Sequence, residues 1–261
     1  MDKTKLGLPL EYNELSEYFD AHNVGDDTDD KNEILSKLLR KYDVKTILDL
    51  TCGTGSQVFF LTKSGAAVTG ADFSQKLLDI ARAKAKKEKL DIRFIDGDMR
   101  TLQVGKFDAV ITIFNAIGHL TKDDFKKAIK NIYDNLKPGG IYVFDIFNLE
   151  AMSDGVVQNL AMNINKDVGS TRIHNIQHSE INRETGQLTS YDNYTIYDGT
   201  NHTREIRNEF TLQIYSATQL QDLLAQNGFE TVEQIAFDGT EFLNKKSVSI
   251  LTIARKKGEA Y

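Results

Sequence analysis

Apolar residues in this chain follow two alternating patterns: short continuous runs, and longer segments in which they recur every three or four positions. Residues 46–57, TILDLTCGTGSQ, show the change between them, because the run stops at a Gly-x-Gly turn and a periodic segment follows. This order predicts a strand, a tight loop and a helix start. In an open α/β sheet such a loop lies where ligands bind, beyond the carboxyl ends of the strands.

The same alternation continues on both sides of this loop. An apolar ladder at residues 34–39 predicts an amphipathic helix before it. Strictly alternating strands and helices after it imply a parallel sheet with helices on both faces. The predicted strands are 68–72, 92–95, 108–114 and 141–147, then 231–237 and 248–254, and the predicted helices are 74–87, 121–136 and 216–227.

Residues 172–181, 188–197 and 202–214 depart from this order. They are long, partly alternating segments separated by turn residues at 184–186 and 198–199. Alternating segments joined by such turns predict an antiparallel meander of three strands. The meander would be an insertion between the fifth strand and the last helix.

Composition narrows the class of protein. The 261 residues are 40% hydrophobic, which is enough for a sizeable core. A net charge of −6 argues against a general nucleic-acid binder, whose domain normally carries a basic face. The sequence has no run approaching about 18 apolar residues and no apolar leader, so we expect neither a membrane span nor secretion. The one cysteine, Cys52, excludes an intrachain disulfide and suits a reducing cytoplasm.

Two features of the glycine loop indicate its ligand. Gly53 and Gly55 lack a Cβ, so the backbone can adopt positive φ and a ligand can approach closely. Asp72 ends the next strand, about 20 residues past the loop, where an acid accepts hydrogen bonds from ribose hydroxyls. Val58 stands where a dinucleotide site needs a third small residue, and a phosphate-binding loop is missing. These features favour an adenosine derivative, although a Gly-x-Gly turn alone is also typical of a plain helix cap.

Together these motifs resemble the class I S-adenosylmethionine-dependent methyltransferases. The first motif of that family, Asp/Glu-x-Gly-x-Gly-x-Gly, appears here as residues 49–55, with Thr51 in place of the first glycine. Later motifs follow in order at 94–99, 107–115 and 136–145. The resemblance implies S-adenosyl-L-methionine as cofactor. The cofactor-binding residues that it implies are Asp49, Thr51, Gly53, Gly55, Asp72, Phe73, Asp98, Met99, Phe114 and Asn115.

The resemblance also implies an architecture. It is a Rossmann-like, doubly wound seven-stranded sheet whose last strand is antiparallel, plus an inserted antiparallel β lid. Residues 1–148 and 215–261 would form the cofactor-binding core, and residues 149–214 the lid over the substrate site. Within the core, Asp98 would contact the adenine amino group.

A histidine follows the fourth strand, at the sheet edge where a substrate must lie. Residues 114–120, FNAIGHL, resemble the Ile-Gly-His-Leu turn of the nucleotide-sugar N,N-dimethyltransferases, in which the corresponding histidine faces the substrate amine. The resemblance implies that His119 is catalytic. Because an imidazole titrates near neutral pH, it can help an amine lose its proton before methylation. The alternative is a packing histidine at a helix start.

The segment before the first long helix, residues 11–20, resembles the Tyr-Asp repeat with which many small-molecule methyltransferases cover their active site. The resemblance makes Tyr12 a candidate catalytic residue, and Phe19 stands in place of the second tyrosine of that repeat. For Tyr12 and Tyr18 the alternative is amphipathic packing with the hydroxyl at the surface.

The insertion resembles the lid-like sheet of the same group and of the glycine and sarcosine N-methyltransferases. Tyr191, Tyr194 and Arg204 are its candidates for facing the substrate, but alternation does not reveal which face is inward.

Methyl transfer from a sulfonium mainly requires aligned reactants, and it needs neither a metal nor a covalent nucleophile. We therefore expect no metal. The acidic run 26–30 lacks the pattern of a calcium loop and suits a solvated helix start, while Cys52 suits small-residue packing. The histidines without partners at metal-ligand spacing are His119, His174, His178 and His202.

The sequence therefore predicts a methyltransferase that acts on a small molecule, with an amine as the preferred acceptor. The alternatives are a macromolecular methyltransferase that acts on tRNA or protein, and a non-catalytic sensor that binds S-adenosylmethionine. The acidic charge and the large insertion disfavour a macromolecular substrate. We expect a cytoplasmic protein with no nucleic-acid or membrane partner, while its state as monomer or homodimer is open.

Overall fold

The computed structural model describes residues 6–199 and 201–258, and the side chains of Asp26 and of residues 201–203 lie outside this description. The predicted candidate His202 is among these. The α-helices are α1 (Phe19–Asn23), α2 (Asp26–Lys41), α3 (Ser56–Lys63), α4 (Gln75–Glu88), α5 (Lys122–Asn135), α6 (Asp154–Asn159) and α7 (Ala217–Gln226). Short 3₁₀ helices lie at Leu10–Tyr12, Ser16–Tyr18, Ala116–His119 and Leu149–Ala151.

The strands form two sheets. Those of the large sheet are β1 (Thr46–Asp49), β2 (Ala67–Asp72), β3 (Arg93–Asp96), β4 (Phe107–Thr112), β5 (Leu136–Phe147), β10 (Phe229–Ile235) and β11 (Ser249–Lys256). Those of the small sheet are β6 (Met162–Val168), β7 (Thr171–Asn182), β8 (Gln187–Asp198) and β9 (Asn201–Gln213).

The large sheet has the order β10-β11-β5-β4-β1-β2-β3. Strands β1 to β5 run parallel to one another, whereas β11 runs antiparallel to both β5 and β10. The central strands are buried almost throughout, as expected for a parallel sheet that helices cover on both faces. The predicted seven-stranded sheet with an antiparallel last strand is confirmed.

The helices begin where their capping residues predict. The Ser74 hydroxyl accepts a hydrogen bond from the Leu77 amide at the start of α4, and Thr121 caps α5 in the same way. The acidic run 26–30 forms the first turn of α2, where negative charge stabilises a helix. Helix α5 ends at Asn135, and the following Lys-Pro-Gly-Gly segment belongs to β5, so the prediction of a helix through residue 136 was one residue too long.

The small sheet has four strands in the order β6-β7-β8-β9, all antiparallel. Strands β7, β8 and β9 confirm the predicted three-stranded meander, and β6 is a further strand that was not predicted. Strand β6, with the sequence MNINKDV, is an edge strand whose residues are mostly exposed. An exposed edge strand does not need alternating apolar residues, and the segment has only Met162, Ile164 and Val168 as a weak strand signal. In the described part of the chain, no helix is long and apolar enough to cross a membrane.

Two hydrophobic clusters attach the small sheet to the rest of the protein. At one end, Leu188 and Leu212 belong to the main core around α5, β4 and β5. At the other end, Ile173, Tyr194 and Ile196 pack against Leu15 and Tyr18. These last two residues belong to residues 6–23, which we call the strap. The strap thus lies between the small sheet and the carboxyl edge of the large sheet.

Candidate functional site

A cavity of about 260 Å³ lies at the carboxyl edge of the large sheet, beneath the strap. The glycine loop after β1, the ends of β2 and β4, and the strap all contribute to its wall, as predicted for a ligand site of an open α/β sheet. The lining residues are Tyr12, Phe19, Asn23, Val24, Thr51, Cys52, Gly53, Thr54, Ser56, Gln57, Asp72, Phe73, Leu77, Met99, Ile113, Phe114, Asn115, Ala116 and His119.

The glycine loop turns sharply at its two glycines. Gly53 has φ +52° and Gly55 has φ +91°, which side-chain-bearing residues rarely adopt. Gly53 lines the cavity, whereas Gly55 lies behind it as the N-cap of α3. Thr51, which replaces a glycine of the resembled motif, lines the cavity without a positive φ. The missing glycine therefore causes no backbone strain at this position.

Asp72 joins the glycine loop to the end of β2. Its carboxylate accepts hydrogen bonds of 2.8 Å from the amides of Gly53 and Ser74. Burial raises the pKa of Asp72 to about 6, although both amides oppose the shift. Each carboxylate oxygen has a further lone pair, so Asp72 can still accept hydrogen bonds from hydroxyls in the cavity.

Asp49 lies below the loop and outside the cavity lining. Its Oδ1 accepts a hydrogen bond from the Thr51 amide at 3.1 Å. Its Oδ2 and the Thr51 hydroxyl are buried, and neither has a hydrogen-bond partner among the described residues. Burial raises the pKa of Asp49 to about 7, and the charge of Asp72 adds to the shift. A polar ligand or a water molecule that reaches this corner of the site would satisfy both oxygens.

The other predicted residues after β2 and β3 divide into two groups. Phe73 and Met99 line the cavity, as the resemblance implied. Asp98 does not, because its carboxylate is held by the Arg100 guanidinium, with contacts of 2.5 to 3.0 Å. Arg100 also holds the pKa of Asp98 below its usual value.

Phe114 and Asn115 form a left-handed turn after β4 and line the cavity. Their φ angles are +64° and +58°, and neither residue is a glycine. The buried Asp145 carboxylate at the end of β5 accepts hydrogen bonds from both backbone amides, at 2.5 and 3.3 Å. The Asn115 side chain in turn accepts one from the Phe147 amide. Sequence reasoning missed Asp145, because only the tertiary structure brings the ends of β4 and β5 together.

His119 ends the 3₁₀ helix that follows this turn, and it contacts the strap. Its Nε2 lies 3.1 Å from the Tyr12 hydroxyl, and the two rings meet edge to face. Its Nδ1 is buried and has no partner among the described residues. The structure therefore brings together the two predicted catalytic residues.

Burial lowers the pKa of His119 to about 4 and raises the pKa of the Tyr12 hydroxyl. Both side chains are therefore neutral near pH 7, because each would have to carry its charge away from water. The expectation that His119 titrates near neutrality is corrected by this burial, which the sequence did not reveal.

Polar contacts hold the strap against the glycine loop and the start of α4. Ser74 donates to the Tyr12 carbonyl, Lys76 donates to the Asn13 carbonyl, and Thr54 donates to the Asp20 carboxylate. Phe19 faces the cavity, whereas Tyr18 is buried against the small sheet. The lining residues Asn23 and Val24 belong to no motif, and sequence reasoning therefore missed them.

The small sheet turns one face inward, toward the strap and the large sheet. Tyr194 is buried on this face, and its hydroxyl donates a 2.7 Å hydrogen bond to Glu11. Tyr191 lies on the outer face, where its ring stacks on His178, and Arg204 is exposed. Of the three candidates, only Tyr194 is buried between the small sheet and the strap.

Cys52 is buried in the glycine loop, and burial raises the pKa of its thiol. Within residues 6–199 and 201–258, leaving aside the undescribed side chains, His, Cys, Asp and Glu form no group suited to hold a metal ion.

The sequence and the fold both match those of known proteins. Residues 47–140 match the family model described as a methyltransferase domain. A putative methyltransferase from Geobacillus is 26% identical over 235 residues, which are 85% of this chain and 90% of that protein. A solved S-adenosylmethionine-dependent methyltransferase from Clostridium acetobutylicum has a TM-score of 0.76 at 21% identity, covering 95% of this chain and 99% of that one.

A third relative has a more specific name. It is a dTDP-3-amino-3,4,6-trideoxy-alpha-D-glucopyranose N,N-dimethyltransferase from Streptomyces venezuelae, 32% identical over 121 residues. The match covers 45% of this chain and 49% of that protein. Several other methyltransferases likewise match over less than half of their own length.

Proposed function

We propose that this chain is a class I S-adenosylmethionine-dependent methyltransferase that methylates an amine of a small-molecule acceptor. The observation that carries the proposal is the Tyr12–His119 pair. It lies where the cavity, the strap and the small sheet meet, because His119 contacts Tyr12 on one side and the β9 residue Phe210 on the other. An acceptor group at this point would be enclosed on several sides.

The cavity residues suit the cofactor. Asp72 would bind the ribose hydroxyls, and Gly53 would let the nucleoside approach the backbone, since its missing Cβ leaves room. Asp49 and Thr51 have buried oxygens that a polar ligand would satisfy. Phe73, Met99, Phe114 and Asn115 would complete the wall around it. When bound, S-adenosylmethionine supplies a methyl group on a positively charged sulfur.

The Tyr12–His119 pair would orient the acceptor amine. A histidine whose pKa is about 4 does not retain a proton taken from an amine near pH 7. The neutral ring has one donor and one acceptor nitrogen, and the Tyr12 hydroxyl occupies Nε2. We therefore assign His119 to holding the amine in line by a hydrogen bond, and an amine that arrives neutral can attack directly.

The position of the small sheet is evidence that the acceptor is a small molecule. We assign residues 149–214 to a lid and residues 1–148 and 215–261 to the cofactor-binding core. The inner face of the small sheet is buried against the strap and the core, which leaves little space for a duplex or a folded protein. The net charge of −6 also disfavours a polyanion. The Streptomyces venezuelae relative is named for an amino sugar, which agrees with an amine acceptor.

The decisive experiment is methyl transfer from isotopically labelled S-adenosylmethionine into a metabolite extract, followed by mass spectrometry. We expect label in one or a few small amines, and much less label with the Asp72→Ala variant at a limiting cofactor concentration. Label in added tRNA or protein, with none in metabolites, would support a macromolecular substrate instead. Cofactor binding by calorimetry without transfer to any acceptor would support a sensor.

The single buried cysteine agrees with the cytoplasm, which we propose as the compartment.

A further inference from the structure

The inner face of the small sheet changes character along its strands. It is apolar at the end near the main core, at Leu188 and Leu212, and again at the strap end, at Ile173 and Ile196. Between these ends the inner face carries Phe210 of β9 and a group of polar side chains, which we call the polar band: Asn175, Gln177, Ser179, Ser190, Asp192 and Asn208. A buried sheet face that served packing alone would be apolar throughout.

Asp192 lies at the centre of the polar band and is 1% exposed. Its Oδ1 accepts hydrogen bonds from the Gln177 amide at 2.8 Å and the Asn175 amide at 3.2 Å. Its Oδ2 is buried without a well-aligned partner among the described residues, although Asn208 lies beside the carboxylate. The Oδ1 atom of Asn175 is also buried and unpartnered.

The two unpartnered oxygens indicate which kind of chemical group would bind here. A carboxylate oxygen and an amide oxygen only accept hydrogen bonds, so a group with several N–H or O–H donors would satisfy both. Buried acceptors are rarely left without a donor, because each then loses its hydrogen bonds to water. Burial raises the pKa of Asp192, and the negative charge of Glu11 on the strap adds to the shift. The Nδ1 atom of His22 lies 3.4 Å from a carboxylate oxygen of Glu11. An added anion would be repelled here, whereas a cation would be attracted.

The polar band lies at the level of His119. Ser190 of the band pairs with Phe210 on β9, and the Phe210 ring lies 6.1 Å from the His119 ring, centroid to centroid. Asp192 is the next inward-facing residue on β8, so it is a diagonal neighbour of Phe210, at roughly 7–8 Å between Cα atoms. Phe210 therefore connects the polar band with His119, where we propose that the acceptor is methylated.

We propose that the polar band is the acceptor-recognition surface, and that Asp192 and Asn175 bind a donor-rich, cationic group of the acceptor other than the amine that is methylated, such as a second ammonium group with neighbouring hydroxyls on an amino sugar. This inference rests on the proposed function and adds the class of acceptor. It also explains why Glu11 and Asp192 are both buried and lie close enough for their charges to interact. An acceptor whose buried part is anionic does not fit.

The test compares binding of matched probes in the presence of S-adenosylhomocysteine. Glucosamine, putrescine and ethanolamine are the cationic probes, N-acetylglucosamine is the neutral match of the first, and malonate is the anionic probe. Calorimetry should show that at least one cationic probe binds more tightly than the neutral and anionic ones. Asp192→Asn should weaken that binding by about tenfold or more, because a hydrogen bond to a charged group is lost.

Asp198→Asn is the matched control, since Asp198 lies at the exposed end of the same strand. It should leave probe affinity unchanged, and both variants should bind S-adenosylhomocysteine like the wild type. Asn175→Ser is a second band variant in case Asp192→Asn unfolds, which circular dichroism would reveal. The inference is overturned if no cationic probe binds, if a neutral or anionic probe binds best, or if the band variants match the control.

The extract experiment separates this inference from the proposed function. If label enters a neutral or anionic metabolite, the assignment of the polar band fails while the methyltransferase proposal stands. If no small molecule receives label although the cofactor binds, the proposed function itself fails.

Discussion

The Asp145 carboxylate accepts a 2.5 Å hydrogen bond from the backbone amide of Phe114. Phe114 and the next residue, Asn115, are both left-handed, which costs roughly 1–2 kcal/mol for each residue that is not a glycine. The carboxylate thus stabilises a strained turn that lines the cavity and leads into the 3₁₀ helix carrying His119.

We expect Asp145→Asn to loosen this turn, because an amide presents only one acceptor atom where two backbone N–H groups need them. The free energy of unfolding should fall by about 1–3 kcal/mol, and turnover should fall with it. Urea unfolding and initial rates are the measurements. Asp123→Asn, at an exposed position on α5, should behave like the wild type. Full activity of the Asp145 variant would show that the turn does not depend on the carboxylate.

Cofactor affinity should depend on Asp72. Loss of hydrogen bonds to a charged acceptor weakens binding by about tenfold to a hundredfold. We expect Asp72→Ala to show this loss for S-adenosylhomocysteine in a calorimetric titration. Asp91→Ala, an exposed position just before β3, is the control. Equal affinity of the two variants would remove Asp72 from the ribose site.

His119 should serve turnover rather than cofactor binding. Replacing it by alanine should lower kcat by about tenfold or more, with little change in cofactor affinity. His178→Ala, on the outer face of the small sheet, should leave kcat unchanged.

The pH dependence of kcat checks the assigned role of His119. Because its pKa is about 4, it stays neutral above about pH 5, and its titration should produce no inflection in kcat between about pH 6 and pH 8. An inflection in this range that the His119→Ala variant loses would restore the role of general base.

The contribution of three buried carboxylates to stability should fall as the pH rises from about 4 to 7, against the opposite contribution of His119, whose pKa is lowered. Burial raises the pKa of Asp49, Asp72 and Asp145 to about 7, 6 and 7, so in this range the folded protein binds more protons than the unfolded chain. Their favourable contribution is complete below the unfolded pKa and is lost as the pH passes the folded values. Urea midpoints across the range measure how stability changes with pH. Asp145→Asn should lose less stability than the wild type as the pH rises. A slope that is equal in both proteins would contradict the assignment.

Gly55→Ala should destabilise the protein in two ways. Its φ of +91° is unfavourable for alanine, and the added Cβ would lie 2.7 Å from the Phe59 ring. Gly65→Ala is a matched control, because Gly65 has φ +97° but no atom within 4 Å of the added Cβ. Both should lose roughly 1 kcal/mol of unfolding free energy, and Gly55→Ala should lose more. Equal losses in urea unfolding would show that Phe59 moves aside without cost.

The large sheet could be predicted because its signals are local. Apolar runs, helix caps at Ser74 and Thr121 and the glycine loop are each encoded within a few residues, and the alternation of strands and helices determines a parallel sheet. Strand β6 could not be predicted, because an exposed edge strand is under no pressure to alternate.

The candidate site was predictable only in part, for a related reason. Motif residues such as Gly53, Asp72 and Phe114 do line the cavity. Asp145 and the polar band depend on which strands become neighbours, and the low pKa of His119 depends on burial by the strap. A local sequence pattern does not reveal which strands become neighbours, or which side chains a distant segment buries.

The strap affects the order of events in a catalytic cycle. It walls the cavity through Tyr12 and Phe19, and it also joins the small sheet, where the Thr211 amide donates to the Leu6 carbonyl. We therefore expect a nucleoside to enter and leave while the strap is displaced, and the acceptor to be enclosed after the strap returns. We expect ordered binding, with the cofactor first and the spent nucleoside last, and a turnover rate that slows in a viscous medium because strap movement limits it.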